Sequence, residues 1–233
     1  MQTTQHVDVD TAFGTAQFWL LWGVLCLNVT AGIGVLGQAS LMIQEMFPAH
    51  FPHDTDAAEK VSAAAAAGFV SLLSLFNMFG RIFWASSSDF LGRRLTYVIF
   101  FVAGIALYAS VPSVGQSGNL VLFVLMFLAI LTFYGGGFAT IPAYLRDIFG
   151  THHVGAIHGR LLTAWSAAGV LGPVLVNYLR QFQIARGIPK ADAYSETMYI
   201  MASLLVVGLI CNLLVRPVQE RFYLNLNISQ AEA

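Results

Sequence analysis

Six apolar runs divide the chain, near residues 18–41, 57–85, 95–111, 120–145, 154–178 and 198–215, and the segments between them are too short to hold a domain. About 20 apolar residues, rising 1.5 Å each in an α-helix, cross the roughly 30 Å hydrocarbon core of a bilayer. Within that core every backbone N–H and C=O must find a partner in the protein, so runs of this length are expected to be helices. Composition agrees, because the chain is 57% hydrophobic and only 10% charged, with a mean hydropathy of +0.70. A soluble domain carries roughly 25% charged residues. The expectation is an all-α integral membrane protein of six transmembrane helices, with the lipid bilayer as its first partner. A polar segment, residues 1–16, precedes a single helical unit at 17–216, and residues 217–233 form a tail.

The net charge of −1 offers no basic field for nucleic acid. Cys26 and Cys211 lie far apart in apolar runs and read as two packed thiols, since free cysteine behaves as a small hydrophobe. The polar start, with Asp8 and Asp10, has neither a basic n-region nor a cleavage-like site, so the first membrane helix is expected to direct insertion. With the N-terminus inside, Arg93, Arg94, Arg146, Arg160, Arg216 and Arg221 fall on the inner side, and Lys60, Arg180, Arg186 and Lys190 on the outer. That bias predicts a multi-pass protein of the cell membrane with both termini cytoplasmic.

Two helices are rich in glycine. The first contains "NVTAGIGVLGQ", with Gly32 and Gly34; the fourth contains "FYGGGFATIPAY", with Gly135, Gly136, Gly137 and Pro142. They begin two successive groups of three helices. Interrupted helices at matching positions of two repeats point to a transport site, because loosened backbone can line a cavity; close helix packing selects small residues too.

The second helix carries a polar stripe. At 100° per residue, Ser71, Ser74, Asn77, Arg81, Ala85 and Ser88 share one face, while Leu72, Phe79 and Phe83 oppose it. Arg81 lies about 12 Å along the axis from Asp89. A charge at that depth costs at least about 2.5–3.5 kcal/mol on insertion scales, so such residues usually face a watery cavity. The planar guanidinium suits a carboxylate, which makes Arg81 the candidate anion-binding residue, with Asn77 beside it. Snorkelling, or pairing with Asp89, is the plain alternative.

Behind this stripe comes "ASSSDFLGRR", in which Asp89, Gly92, Arg93 and Arg94 resemble the loop signature G-x-x-x-D-R/K-x-G-R/K-R/K of the major facilitator superfamily. Ala85 replaces its first glycine and Phe90 a basic residue. The resemblance implies a latch, whose acid meets the positive end of a helix in the other half of the carrier. Longer pieces, "TAQFWLLW", "SLFNMFGRIFWASSSDFLGRR", "YGGGFATIPAYLRDIFG" and "GAIHGRLLTAWSAAGVLGP", are similar to the C-terminal half of oxalate/formate antiporter-type carriers of that superfamily. The fold implied is one half of a twelve-helix carrier, a 3+3 inverted repeat, with residues 1–16 as the remnant of a central cytoplasmic linker. The partner implied is an N-terminal six-helix half. In oxalate-carrying members a basic residue on helix eight and a lysine on helix eleven face the dicarboxylate. Arg81 stands at the first position and Trp165 at the second, a substitution that suits a monoanion, or an anion with an apolar body, better than oxalate. Tyr134, just before the glycine triplet of the fourth helix, joins Arg81, Asn77 and Trp165 as an expected substrate-facing residue.

His158 shares a helix face with Trp165, Gly169 and Gly172, and fits either proton coupling or a hydrogen-bonded packing role. Arg160 reads as a charge at the inner interface. His152, His153 and His158 lack the i, i+4 pairing of a helical zinc site, so no metal is expected, and no cofactor. No nucleophile, base and orienting group occur at catalytic spacing, so an enzyme is not expected. The function expected is secondary transport of small organic carboxylates by alternating access. The alternatives are a half-length protein that acts only through association with other membrane helices, and a homodimer of six-helix units.

Overall fold

The computed structural model describes residues 3–51 and 55–224. A short helix α1 (Val9–Phe13) leads into α2 (Ala16–Met46), α3 (Asp56–Leu91), α4 (Arg93–Gln116) and α5 (Leu120–Phe149). The chain continues through α6 (Val154–Leu161), α7 (Thr163–Ala185) and α8 (Ser195–Leu214), and ends in a 3-10 turn at Glu220–Phe222. Among the described residues, six spans are long and apolar enough to cross a membrane: α2, α3, α4, α5, α6 with α7, and α8.

The helices outrun the apolar runs at their ends. The 31 residues of α2 reach about 46 Å, well beyond the hydrocarbon core, so the end turns lie at headgroup level where polar caps are at home. Thr15 caps α2 through Phe18 N, Thr55 caps α3 through Ala58 N, and Asn119 caps α5 through Leu122 N. The fifth span is one crossing in two pieces, broken at Leu162. There the Thr163 hydroxyl bonds back to Arg160 O (2.8 Å), and Leu162 O accepts from both Trp165 N and Ser166 N, so the last bonds of α6 do not run smoothly into α7.

The most extensive helix contacts are α3 with α5, α2 with α7, and α4 with α8. Exchanging the first three spans for the last three maps α2·α7 onto α5·α3 and leaves α4·α8 unchanged, the pairing an inverted repeat produces. Each pair meets at glycine. A Cβ on Gly172 would lie 2.7 Å from Thr30 O, one on Gly80 would strike the Thr132 backbone, and one on Gly208 would strike the Phe101 ring. Tyrosines tie the inner faces: Tyr97 donates to Gly137 O (2.6 Å), Tyr108 to Ala31 O (2.7 Å), and Tyr144 to Asn212 Oδ1 (3.2 Å). Cys26 and Cys211 are free thiols, as expected.

An even number of crossings returns the chain to its starting end. Val7 bridges Tyr223, and Val7 N donates to Phe149 O (3.0 Å), so the described parts of both termini share the near end with the α3–α4 turn and the α5–α6 corner. Between α7 and α8, at the far end, Arg180 pairs with Glu45, whose carboxylate also accepts from Tyr194 (2.6 Å). Burial, and then the hydrogen bond to Glu45, hold the Tyr194 phenol well above its ordinary pKa.

Candidate functional site

The polar stripe of α3 is exposed at Ser71, Ser74 and Arg81, half-buried at Asn77 and Ala85, and buried at Ser88. Ser71 and Ser74 spend their hydroxyls on Ala67 O and Val70 O (both 3.0 Å), which keeps them compatible with lipid or a narrow cavity. Arg81 is exposed, and among the described residues no carboxylate pairs with it. Its Nε reaches Asn77 Oδ1, one turn back, at 3.4 Å, a long contact that leaves most of the fork free. Its Cζ stands 5.7 Å from the centroid of the Phe138 ring, a cation–π distance.

Phe138 is the hub. Tyr134, one turn earlier on α5, meets it edge to face at 5.8 Å, and Trp165, from α7, meets it edge to face at the same separation. Arg81, Tyr134 and Trp165, expected on separate grounds to face substrate, thus come from three helices and meet at one phenylalanine, with Asn77 held beside Arg81. Tyr134 is buried, while Trp165 is 48% exposed and lies open beside it. The arrangement is a single cation bordered by an amide on one side and aromatic surface on the other. It can hold a carboxylate in the guanidinium fork and an apolar body against the rings.

The glycines seat these groups. A Cβ on Gly32 would come within 2.7 Å of the Tyr134 ring, one on Gly136 within 2.7 Å of Trp84, and Gly135 and Gly137 lie against Asn77 O and Asn28 Oδ1. Gly34 faces Gly172. Both α2 and α5 are continuous α-helix through these positions and through Pro142.

Asp89, Gly92, Arg93 and Arg94, the residues expected to form a latch, make a second cluster at the near end. Gly92 has φ +84°, and a Cβ there would touch nothing, so its backbone conformation alone calls for glycine. Arg93, 7% exposed, pairs with Asp89, donates to Ser88 Oγ, and lies 3.9 Å from Asp147 Oδ2 on α5. Arg94 donates to Leu213 O at the C-terminal, electronegative end of α8. Asp89 is 63% exposed and faces outward. His158 lies on α6, before the break, with Nε2 buried and lacking a hydrogen-bond partner.

Phe138 and Asp147 were not singled out from the sequence. One is an aromatic residue in an apolar helix and carries no periodic signal. Its i+4 spacing from Tyr134 was the available clue. Asp147 hides in the polar end turn of α5, where an acid is unremarked.

Comparison with known proteins agrees with this geometry. The Major Facilitator Superfamily profile matches residues 55–227. The chain belongs to the major facilitator superfamily. It is 28% identical over 158 residues to the oxalate:formate antiporter of Oxalobacter formigenes, an alignment covering 68% of this chain and 34% of the relative. It is 24% identical over 150 residues to monocarboxylate transporter 14 of Mus musculus, covering 63% of the chain and 27% of the relative. The matched region thus spans between about a quarter and a third of each relative's length. The expected superfamily, the six-helix half and the likeness to an oxalate:formate antiporter are borne out. As a superfamily member with six such helices, this is a multi-pass integral membrane protein of a transporter family.

Proposed function

We propose that the chain is one half of a secondary carrier for small organic anions, carboxylates above all, working by alternating access and exchange. The observation that carries this reading is Arg81: a permanent cation on a membrane-spanning helix, exposed, free of any carboxylate partner among the described residues, and backed by Phe138, Tyr134 and Trp165. An unpaired guanidinium in that setting is stabilised by water or by an anion that comes and goes. The names of the two relatives, an oxalate:formate antiporter and a monocarboxylate transporter, both involve carboxylates. An inside-negative potential opposes anion entry by about 2.3 kcal/mol per charge per 100 mV, so exchange or coupling is needed for uptake.

The remaining site lies outside this half. Gly68, Gly155, Gly159 and Gly169 border open space, and Val170, Leu171 and Val174 are exposed along α7. These faces of α3 and α7 fit further helices, either an N-terminal six-helix half or a second copy. Asp89, with Gly92, Arg93 and Arg94 shaping its turn, would latch onto that partner with the near end cytoplasmic. Small shifts of α2 and α5 at Gly32, Gly34, Gly135–Gly137 and Pro142 would open and close the cavity. His158 fits either proton coupling or packing. His158→Gln separates the two, because the pH dependence of uptake disappears only if the imidazole carries the proton.

The test is uptake or exchange of labelled monocarboxylates by the transport-competent assembly containing this chain. Loss of a charge-assisted hydrogen-bonding partner removes about 1.5–3 kcal/mol, so Arg81→Ala weakens carboxylate binding by about 10- to 100-fold. Unchanged uptake in that variant contradicts the assignment.

A further inference from the structure

The segment before the first span does not trail away from the bundle. Residues 3–13 cross the near end and are held at both edges. Thr3 N donates to Asp147 O (3.1 Å), Val7 N to Phe149 O (3.0 Å), and Leu224 N to His6 O (2.8 Å), with Val7 bridged to Tyr223. The segment then turns into α1 and settles on α6. Asp10 Oδ1 meets Arg160 Nη2 at 2.7 Å, Val9 O accepts from Arg160 Nη1 at 3.4 Å, and the guanidinium carbon stands 5.6 Å from the Phe13 ring centroid. Asp8 lies 3.8 Å from His153 at the head of α6, and His6 lies against His152 with ring centroids 5.8 Å apart.

For its part, α6 packs on α5, α7 and α2 as well as on α1, but little of it is buried. It is eight residues long and cut from α7 at Leu162; only Ile157 and Leu161 are buried, and Gly155 and Gly159 border open space. The α7 side of the break is fixed, because Trp22 Nε1 donates to Thr163 Oγ1 (2.9 Å). A short element with one anchored end, two buried side chains and a strap that grips it at His153 and again at Arg160 beside Leu162 has the makings of a gated segment.

We propose that residues 3–13 form a strap that clamps α6 through Arg160 and His153, and that releasing the strap frees α6 to swing about Leu162, one turn from Trp165 at the candidate site. This device does not depend on which anion the site takes, or on whether it takes one.

The test is hydrogen–deuterium exchange by mass spectrometry on the full chain in lipid nanodiscs, comparing wild type with Asp8→Ala/Asp10→Ala/Phe13→Ala. All three changes lie on the strap and substitute no residue of the six spans, though the Phe13 ring also meets Phe18 and Trp19 at the start of α2. The expected result is exchange about tenfold faster at residues 9–13 and at 155–161, with 166–185 unchanged. Faster exchange of the strap alone would show that it decorates α6 without holding it. An unchanged strap, or acceleration running through 166–185, would equally overturn the proposal.

Discussion

Phe138 decides how the candidate site is read at the level of single residues. It receives the charge of Arg81 and the edges of Tyr134 and Trp165, so its removal should loosen three side chains together. Phe138→Ala is expected to weaken carboxylate binding about five- to tenfold while the helices stay assembled, since a cation–π contact is worth about 0.5–2 kcal/mol. Titration of uptake against substrate concentration, with circular dichroism as the control, checks this. Phe138→Tyr, which keeps the ring, should bind as wild type does. A second residue-scale prediction concerns the far end. The Tyr194 phenol donates to the Glu45–Arg180 pair, and Tyr194→Phe is expected to cost about 1–2 kcal/mol, read as a fall in thermal unfolding temperature in detergent. Because the phenol's pKa is raised in the fold, its contribution is complete below the ordinary value near 10.0 and is lost only as pH rises above it. The difference between wild type and Tyr194→Phe should therefore be constant from pH 6 to about 9.

Among elements, the sequence carried the number, type and order of the spans, because twenty-residue apolar runs have few other solutions in lipid. It also carried the stripe on α3, since a polar periodicity inside such a run is conspicuous: Asn77 and Arg81 could be placed on one face before any coordinates. It did not carry the break at Leu162, which rests on a hydroxyl's choice of backbone acceptor, nor the grip of Asp10 on Arg160, a contact 150 residues apart in sequence. It also left the glycines ambiguous, as close packing and opening select the same residue. A pair of substitutions separates positions that differ only in their neighbours. Gly135→Ala would press a methyl into the Asn77 backbone and push α3 from α5, at about 1–3 kcal/mol, shifting Arg81 relative to Phe138. Gly169→Ala meets nothing within 4 Å in this half and should leave its thermal stability unchanged or raise it by up to about 1 kcal/mol. Thermal unfolding of the two variants side by side makes the comparison.

Over the whole molecule, two halves of three helices are related by exchange, and their open faces on α3 and α7 have no covering element among the described residues. A half of this kind is expected to assemble. Cysteine placed at Val170, with Cys26 and Cys211 replaced by alanine, should crosslink in native membranes to a partner of defined mass. A product near twice 25.3 kDa identifies a second copy, and any other single mass a separate partner. The open face of α3 is expected to deliver an anion to Arg81. The most direct measurement is exchange of labelled monocarboxylate in proteoliposomes holding the native assembly, with wild type compared against Arg81→Ala and Arg81→Lys. The prediction is saturable exchange in wild type, partial retention in Arg81→Lys, and an apparent affinity lower by at least about tenfold in Arg81→Ala. Equal exchange in all three would contradict it.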